Sequence, residues 1–305
     1  MKNTYNKEEK FVIGVDAGGT KTRAAAFDAD GRRIAEAVSG CGNPVLSYDA
    51  AKSAITSAIR EVLPDGCAYI AVGAAGASSS ELSGRLSAEL TAEFGIRTDV
   101  MSDAELALNA AFGPEADGML VISGTGSVVF LRKNGTLLRA GGWGHILGDG
   151  GSAYYTGLCA LRTIVNLRDR NTPDEALERA AFGALGIGGI SELVRYVYAP
   201  ERTKADIAKI APAVDRLAEN GHGIAADILW KSADVLSDDA AALLRRAETD
   251  DVSIALTGGH ICHSDTLRLN FEQTLRIKTG TSCRLHFLTE EADPAYAAYR
   301  LWANT

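Results

Sequence analysis

The 305-residue chain has few cysteines, and their arrangement matches no metal site or disulfide framework. The five cysteines are odd in number and scattered, without a Cys-x-x-Cys pair or a zinc-type spacing of cysteine and histidine. No apolar run reaches the roughly 20 residues of a membrane helix, and the start, MKNTYNKEEK, is too polar for a signal peptide. These absences predict reduced thiols and a cytoplasmic protein.

Basic residues are also fewer than acidic residues. Lysine and arginine number 31 against 39 acidic residues, which gives a net charge of −8 and a pI near 5.2. This balance argues against nucleic acid or an anionic membrane as a partner, and a polyanionic substrate would need a local basic patch or a metal ion. With 46% hydrophobic and 23% charged residues, the composition is that of a globular protein long enough for two domains.

Residues 11–23, FVIGVDAGGTKTR, place two glycines directly after an apolar β-branched run that ends in Asp16. The run predicts a strand, the glycines a tight turn, and the following residues a second strand. The segment fits neither a Walker loop nor a dinucleotide fingerprint, because both lead into a helix with other spacings. Two interpretations stay open. The turn either directs backbone N–H groups at an anion or is an ordinary hairpin turn.

The same pattern of strand, glycine turn and strand occurs again in the second half of the chain. Strands are predicted at 119–123, 127–132 and 136–140, with Gly124, Thr125 and Gly126 in the first turn. A third glycine pair, Gly258–Gly259, follows the predicted strand 252–256. Such strand ends meet at the ligand-binding edge of an α/β sheet. In the first half, helices are predicted at 48–62, 81–94 and 103–112 with strands at 68–73 and 97–101. In the second, helices are predicted at 150–169, 173–183, 189–198, 203–220, 223–248, 264–276 and 293–303, with a strand at 283–287.

Four segments carry a resemblance to a known family. They are DAGGTKTR, SGTGSVVFLRKNG, LTGGH and, most specific, AGGWGHILGDGGSAY at 140–154. Together they resemble the N-acetylglucosamine kinase branch of the actin, heat-shock chaperone and sugar-kinase superfamily, within the BadF/BadG/BcrA/BcrD ATPase family. The resemblance implies an α/β fold of two ribonuclease-H-like domains around a cleft. Residues 1–114, joined by the last helix at 293–305, would form the sugar and phosphate side, and residues 115–292, with a helical insertion, the nucleotide side.

The resemblance also implies roles for individual residues. Those implied to bind ATP are Gly18, Gly19 and Thr20 in the first turn, Gly124, Thr125 and Gly126 in the second, Gly258 and Gly259 under the adenosine, and Ala205. Asp16 would hold Mg²⁺ through water, since magnesium keeps several of its waters. Those implied to bind the sugar are Asn43, Asp103, Gly142, Trp143, Gly144 and Asp149, with Ser78 as a weaker candidate. Asp103 would be the catalytic base.

Three of these residues also have a structural interpretation. Asp103 stands at a predicted helix start, where it could serve only as an N-cap. Trp143, flanked by glycines, suits a sugar platform, although a single tryptophan is more often part of a core. Asp149 could cap the helix that follows it as well as accept hydrogen bonds from hydroxyl groups.

The resemblance predicts a kinase that transfers the γ-phosphoryl group of ATP to the 6-hydroxyl of an amino sugar, with N-acetylglucosamine as the expected substrate and ATP and Mg²⁺ as cofactors. Glucosamine and N-acetylmuramic acid remain alternatives. So do an ATPase switch of the benzoyl-CoA reductase activator type and a sugar-binding regulator without catalysis. ATP and the sugar are the expected partners, nucleic acid and membrane are not, and a homodimer is left open.

Overall fold

The structure is a computed structural model that describes residues 10–77, 79–289 and 292–304. The chain divides into two compact units. The first contains the chain up to Gly118 together with the segment from Ala292 onward, and the second is Met119–Glu291. Within the described ranges, no helix is both long and apolar enough to cross a membrane.

The first unit is built on a five-stranded mixed sheet. Its elements are β1 (Phe11–Ala17), β2 (Thr22–Phe27), β3 (Arg33–Ser39), α1 (Tyr48–Val62), β4 (Cys67–Ala74), α2 (Ser80–Phe94), β5 (Thr98–Ser102) and α3 (Asp103–Phe112). The strand order is β3-β2-β1-β4-β5, with antiparallel pairing among the first three strands and parallel pairing from β1 to β4 and β5. The predicted pattern of three consecutive strands, helix, strand, helix, strand, helix is confirmed.

Alternate residues of β1 belong to separate apolar clusters, because successive side chains of a strand point to opposite faces of the sheet. Ile13 and Val15 pack in a cluster with residues of α1 and α2, whereas Val12 packs in another with residues of α3. All three side chains are fully buried. A strand covered on both faces reads as a continuous apolar run, which is why FVIGV showed no alternation.

The second unit repeats this plan. Its elements are β6 (Gly118–Ser123), β7 (Ser127–Lys133), β8 (Thr136–Gly141), α4 (Ala153–Asp169), α5 (Glu175–Leu185), α6 (Ile190–Val197), α7 (Lys204–Ala208), α8 (Ala211–Glu219), α9 (Gly223–Arg246), β9 (Asp251–Thr257), α10 (Gly259–His263), α11 (Asp265–Thr279) and β10 (Arg284–Phe287). The strand order β10-β9-β6-β7-β8 matches that of the first sheet read from the opposite edge. The predicted α/β fold with two similar halves is therefore confirmed.

One predicted helix of the second unit is wrong. The single helix expected at 203–220 is two helices, α7 and α8, because the first ends at Ala208. Pro212 lies in the first turn of α8, where a residue without an N–H group is tolerated. Residues of both helices line the pocket described below.

The chain ends by returning to the first unit as a 3₁₀ turn (Pro294–Tyr296) and α12 (Ala297–Ala303). A Cβ atom built on Gly14 would lie 1.8 Å from the carbonyl oxygen of Ala295. The glycine in the middle of β1 therefore allows the backbone of the returning segment to pack directly on the sheet. Arg23 of β2 also donates a hydrogen bond to Asp293, with Nη1 and Oδ2 at 3.3 Å.

Candidate functional site

The first glycine turn connects β1 to β2, as predicted. The N–H of Gly18 donates to the carbonyl of Lys21 at 2.9 Å, while Gly19 and Thr20 are exposed at the tip. The carbonyl of Gly18 in turn accepts from the N–H of Gly42 at 2.9 Å. These hydrogen bonds hold the base of the turn, and its tip leaves backbone groups and the hydroxyl of Thr20 exposed for a ligand.

Asn43 lies in the loop that supports this turn. Its side-chain oxygen accepts a hydrogen bond from the N–H of Val45 at 2.9 Å, so its orientation is set by its own loop. A Cβ atom on Gly76, which has a φ of +84°, would approach that same oxygen at 3.0 Å. The loops after β1, β3 and β4 therefore gather at one edge of the sheet. Ser78 lies outside the described residues.

Asp16 and Asp103 stand at this same edge. Ala17 at the end of β1 pairs with Ala74 of β4, which pairs with Ser102 of β5, and Asp103 follows directly. Asp16 and Asp103 therefore occupy the ends of strands that are two positions apart, and neighbouring strands are spaced by about 4.8 Å. The fold brings together two carboxylates that are far apart in the sequence.

The environment shifts the pKa of both carboxylates in the same direction. Burial raises the pKa of Asp16, the guanidinium of Arg23 opposes this, and the negative charge of Asp103 adds to it. Desolvation raises the pKa of Asp103 although the residue itself is solvent-exposed, and a hydrogen bond from the N–H of Ala104 at 3.0 Å opposes that shift. The effect of Asp103 on the pKa of Asp16 indicates that the two carboxylates are close enough to interact, since a nearby like charge favours the neutral form.

Asp103 is not the N-cap of its helix. The hydroxyl oxygen of Ser102 accepts from the N–H of Glu105 at 3.2 Å, and the carboxylate of Glu105 accepts from the N–H of Ser102 at 3.0 Å. These reciprocal bonds form a capping box that satisfies the helix start. The alternative in which Asp103 serves only as the cap is therefore excluded, and its carboxylate is available for another role.

The second glycine turn connects β6 to β7 and lies against the N-terminus of α4. The N–H of Gly124 donates to the carbonyl of Gly126 at 2.9 Å. The carbonyls of Gly124 and Thr125 accept from the first N–H groups of α4, those of Ala153 at 2.9 Å and Tyr154 at 3.3 Å. These bonds satisfy helix donors that would otherwise lack a partner and hold the turn in place.

The third glycine pair lies beside the second turn. Ile122 of β6 pairs with Thr257 of β9, so the two strands end at the same level. Gly258 has a φ of +98°, and a Cβ atom there would lie 2.6 Å from the carbonyl oxygen of Ser123. Only glycine fits this left-handed conformation and close backbone approach without strain.

A pocket of 610 Å³ in the second unit brings together residues that had been predicted to bind ATP. Gly124, Thr125, Ala205 and Gly259 all line it. The other lining residues are Ala153, Ala208, Lys209, Pro212, Asp215, Arg216, Glu219, His260, His263 and Ser264. A volume of this size lies within the usual range for small-molecule sites. Gly126 and Gly258 are next in sequence to lining residues but are not themselves part of the wall.

Asp149 lies behind the second turn. The residue is 3% exposed and adopts a positive φ of +58°. Its Oδ2 accepts from Nζ of Lys204 at 2.9 Å, and its Oδ1 from the N–H of Ser127 at 3.3 Å. The cap of α4 is Ser152, which accepts from Tyr155, so Asp149 is not the helix cap. Its predicted contact with a sugar stays a prediction.

The glycine-flanked tryptophan is on the surface. Trp143 is 64% exposed, which excludes the alternative of a core residue. The guanidinium of Arg139 lies 4.1 Å from the centre of its ring and covers one face. Gly142 and Gly144 have φ values of +69° and +83°, so both need the freedom of glycine. An exposed aromatic face beside backbone N–H groups suits a sugar ring, and the role of all three residues stays a prediction.

The acidic residues fit a magnesium ion that is carried by the nucleotide. Across the described part of the chain, no group of three or more His, Cys, Asp or Glu residues could hold a metal ion. Mg²⁺ is usually bound by one or two carboxylates together with water and substrate phosphates. The half-buried carboxylate of Asp16, beside the first glycine turn, meets that requirement.

Sequence reasoning missed several residues of the second unit. Asp215, His260 and His263 line the pocket, and Lys204 reaches the second turn from a helix that lies far along the chain. Lys204 and His260 are direct neighbours of the predicted residues Ala205 and Gly259, whereas Asp215 and His263 have no such neighbour. Which side chain of a helix faces a pocket depends on how that helix packs, and the sequence around it does not show this.

Comparisons with known proteins identify one family and several sugar kinases. The family model described as the BadF/BadG/BcrA/BcrD ATPase family matches residues 13–275. The chain is 29% identical to an N-acetylmuramic acid/N-acetylglucosamine kinase of Clostridium acetobutylicum, over 95% of this chain and 97% of that protein. It is 27% identical to an N-acetyl-D-glucosamine kinase of Dictyostelium discoideum, over 83% of this chain and 86% of that one.

Solved structures show the same fold. A Chromobacterium violaceum protein that has been proposed to be an N-acetylglucosamine kinase superposes with a TM-score of 0.71 and 25% identity, covering 95% of this chain and 97% of that one. A ROK family glucokinase of Streptomyces griseus, solved with glucose and AMPPNP, gives a TM-score of 0.59 at 16% identity, over 95% of this chain and 98% of that one. The latter likeness concerns the fold alone.

Proposed function

Because the chain belongs to the BadF/BadG/BcrA/BcrD ATPase family, we propose that it is an ATP-dependent kinase of amino sugars. The observation that carries this proposal is the 610 Å³ pocket of the second unit, whose wall contains Gly124 and Thr125 of the second turn, Gly259 of the third glycine pair, and Ala205. Phosphoryl transfer depends on positioning and on neutralising charge, and these turns provide backbone donors without side chains in the way.

The proposed acceptor is the 6-hydroxyl of an N-acetylated amino sugar. Two relatives that align over most of their length are kinases named for N-acetylglucosamine, and one of them is also named for N-acetylmuramic acid. In the reaction, the hydroxyl oxygen forms a bond to the γ-phosphorus while the bond from that phosphorus to the oxygen bridging to the β-phosphate breaks. ADP leaves with that oxygen.

Asp103 is the proposed base. Its carboxylate is free of the capping role and stands at the ligand edge of the first sheet. It accepts the proton that the sugar hydroxyl loses as the new bond forms, and a raised pKa makes it a better acceptor than an ordinary aspartate. Asp16 would hold Mg²⁺, which would supply positive charge to the phosphates. The first glycine turn would bind the same phosphates through its backbone.

The first test is the dependence of ATP consumption on sugar. ADP formation is measured with N-acetylglucosamine, N-acetylmuramic acid, glucosamine, glucose and no sugar. We expect stimulation by an N-acetylated sugar and formation of its 6-phosphate. ATP hydrolysis at the same rate with and without every sugar would contradict the kinase and favour an ATPase switch.

The second test is Asp103→Asn, which keeps the shape of the side chain and removes its basicity. We expect kcat to fall by about 10²- to 10⁴-fold, the usual contribution of general-base catalysis, while the affinity for ATP stays near that of the wild type. Asp49→Asn is the matched control, since Asp49 is an exposed aspartate in the first turn of α1. Near-normal turnover of Asp103→Asn would contradict the assignment of Asp103 as the base.

A further inference from the structure

We propose that Lys204 is a further phosphate-contacting residue, which donates to the terminal phosphoryl groups of the bound nucleotide from the side of the second glycine turn. The proposal rests on the proposed function, because it takes the second turn and the adjoining pocket as the nucleotide site. The observation that carries it is the position of one ammonium group against that turn.

Lys204 lies directly on the glycine turn. A Cβ atom built on Gly126 would lie 2.8 Å from Nζ of Lys204 and 3.0 Å from each carboxylate oxygen of Asp149. The lack of a side chain at position 126 therefore leaves the space that this ion pair occupies. Lys204 is also next to Ala205 in the chain, and Gly126 is next to Thr125, and both of these neighbours line the pocket.

The two partners of the ion pair differ in their access to solvent. The side chain of Asp149 is 5% exposed, whereas that of Lys204 is 37% exposed. The carboxylate is therefore enclosed and holds the ammonium in place, while part of the lysine side chain remains accessible to solvent. The N–H of Ser127 also donates a hydrogen bond to Asp149. The carboxylate that holds Lys204 against the turn is therefore itself fixed.

The chemistry of a lysine suits this place. An ammonium has three N–H donors, and Asp149 uses one of them at 2.9 Å. The other two can donate to phosphoryl oxygens, for which a compact positive charge is well suited. Lys209, the lysine in the pocket wall, instead pairs with Asp206 on its own helical segment at 2.8 Å.

The experiment compares the affinities of Lys204→Met, Lys204→Arg and the wild type for AMP, ADP and ATP by calorimetry without sugar. A phosphate contact predicts that Lys204→Met weakens ATP binding by about 10- to 100-fold, the usual effect of losing a hydrogen bond to a charged group. AMP affinity should change by less than about 2-fold, and Lys204→Arg should recover part of the loss. Lys278→Met is the control, since Lys278 forms a lysine–aspartate pair in the same unit, 2.7 Å from Asp234.

The outcomes separate this proposal from the proposed function. Equal weakening of AMP and ATP by Lys204→Met would show that the ion pair only supports the pocket, and unchanged ATP affinity would show that Lys204 does not contact phosphate. Either result overturns the inference. The proposed function is judged separately, by sugar-dependent ADP formation in the wild-type protein.

Discussion

Gly14→Ala tests how the returning C-terminal segment is held on the first sheet. The new Cβ would lie 1.8 Å from the carbonyl oxygen of Ala295 and 2.5 Å from its carbonyl carbon, whereas ordinary contacts begin near 3.4 Å. The backbone of the 3₁₀ turn would have to move by about 1.6 Å, and both residues are completely buried or nearly so. A main-chain atom in a packed core cannot rotate away as a flexible side chain can.

We expect the free energy of unfolding of the first unit to fall by about 3 kcal/mol, at the upper end of the usual cost of overpacking. The stiffer unfolded chain of an alanine variant offsets less than about 1 kcal/mol of this. Urea unfolding gives the total, and amide hydrogen exchange in β1 separates the first unit from the second.

Gly183→Ala is the matched control. Gly183 lies within α5, and a Cβ atom there meets nothing within 4 Å. Because alanine is the better helix former, this variant should be more stable than the wild type by up to about 1 kcal/mol. A Gly14→Ala protein whose stability is within about 0.5 kcal/mol of the wild type would refute the reasoning about the close backbone approach.

Two further predictions concern buried polar groups. Nε2 of His260 is hydrogen-bonded to the hydroxyl of Thr156 at 2.8 Å, and burial lowers the pKa of His260 from 6.5 to about 4. As pH falls, the unfolded chain therefore binds a proton before the folded chain does. The free energy of unfolding of the wild type should drop by about 3 kcal/mol between pH 6.5 and 4 relative to that of His260→Gln. Parallel pH profiles of unfolding for the two proteins would contradict this. The hydroxyl of Thr22 is fully buried and has no hydrogen-bond partner among the described residues, so Thr22→Val should raise stability by about 1 kcal/mol. A clear loss of stability would show that the hydroxyl is satisfied.

Much of the fold follows from local patterns. The helix expected at 48–62 has those bounds in the structure, and the three-strand pattern that opens each half is also present. Apolar spacing and glycine turns determine these features within about 15 residues, so one sequence is enough to show them. The glycine motifs also indicated the family, which the match over residues 13–275 confirms.

The helical part of the second unit was harder to predict from the sequence. The break between α7 and α8 divides the segment that was predicted as one helix, and α7 packs against α4 whereas α8 packs against both α4 and α9. The capping question at Asp103 was likewise open from sequence, since both Ser102 and Asp103 are good caps. The structure selects Ser102 through its reciprocal bonds with Glu105.

By itself the sequence determined the α/β class, the duplicated sheet pattern, the three glycine turns and the family to which they belong, because each depends on residues that are neighbours in the chain. Only the tertiary structure placed Asp16 near Asp103, seated Ala295 on Gly14 and brought Lys204 to Asp149 across 55 positions. Contacts of that kind arise when separate strands and helices share one sheet edge or one core. The spacing of residues along the chain does not show which elements will meet there.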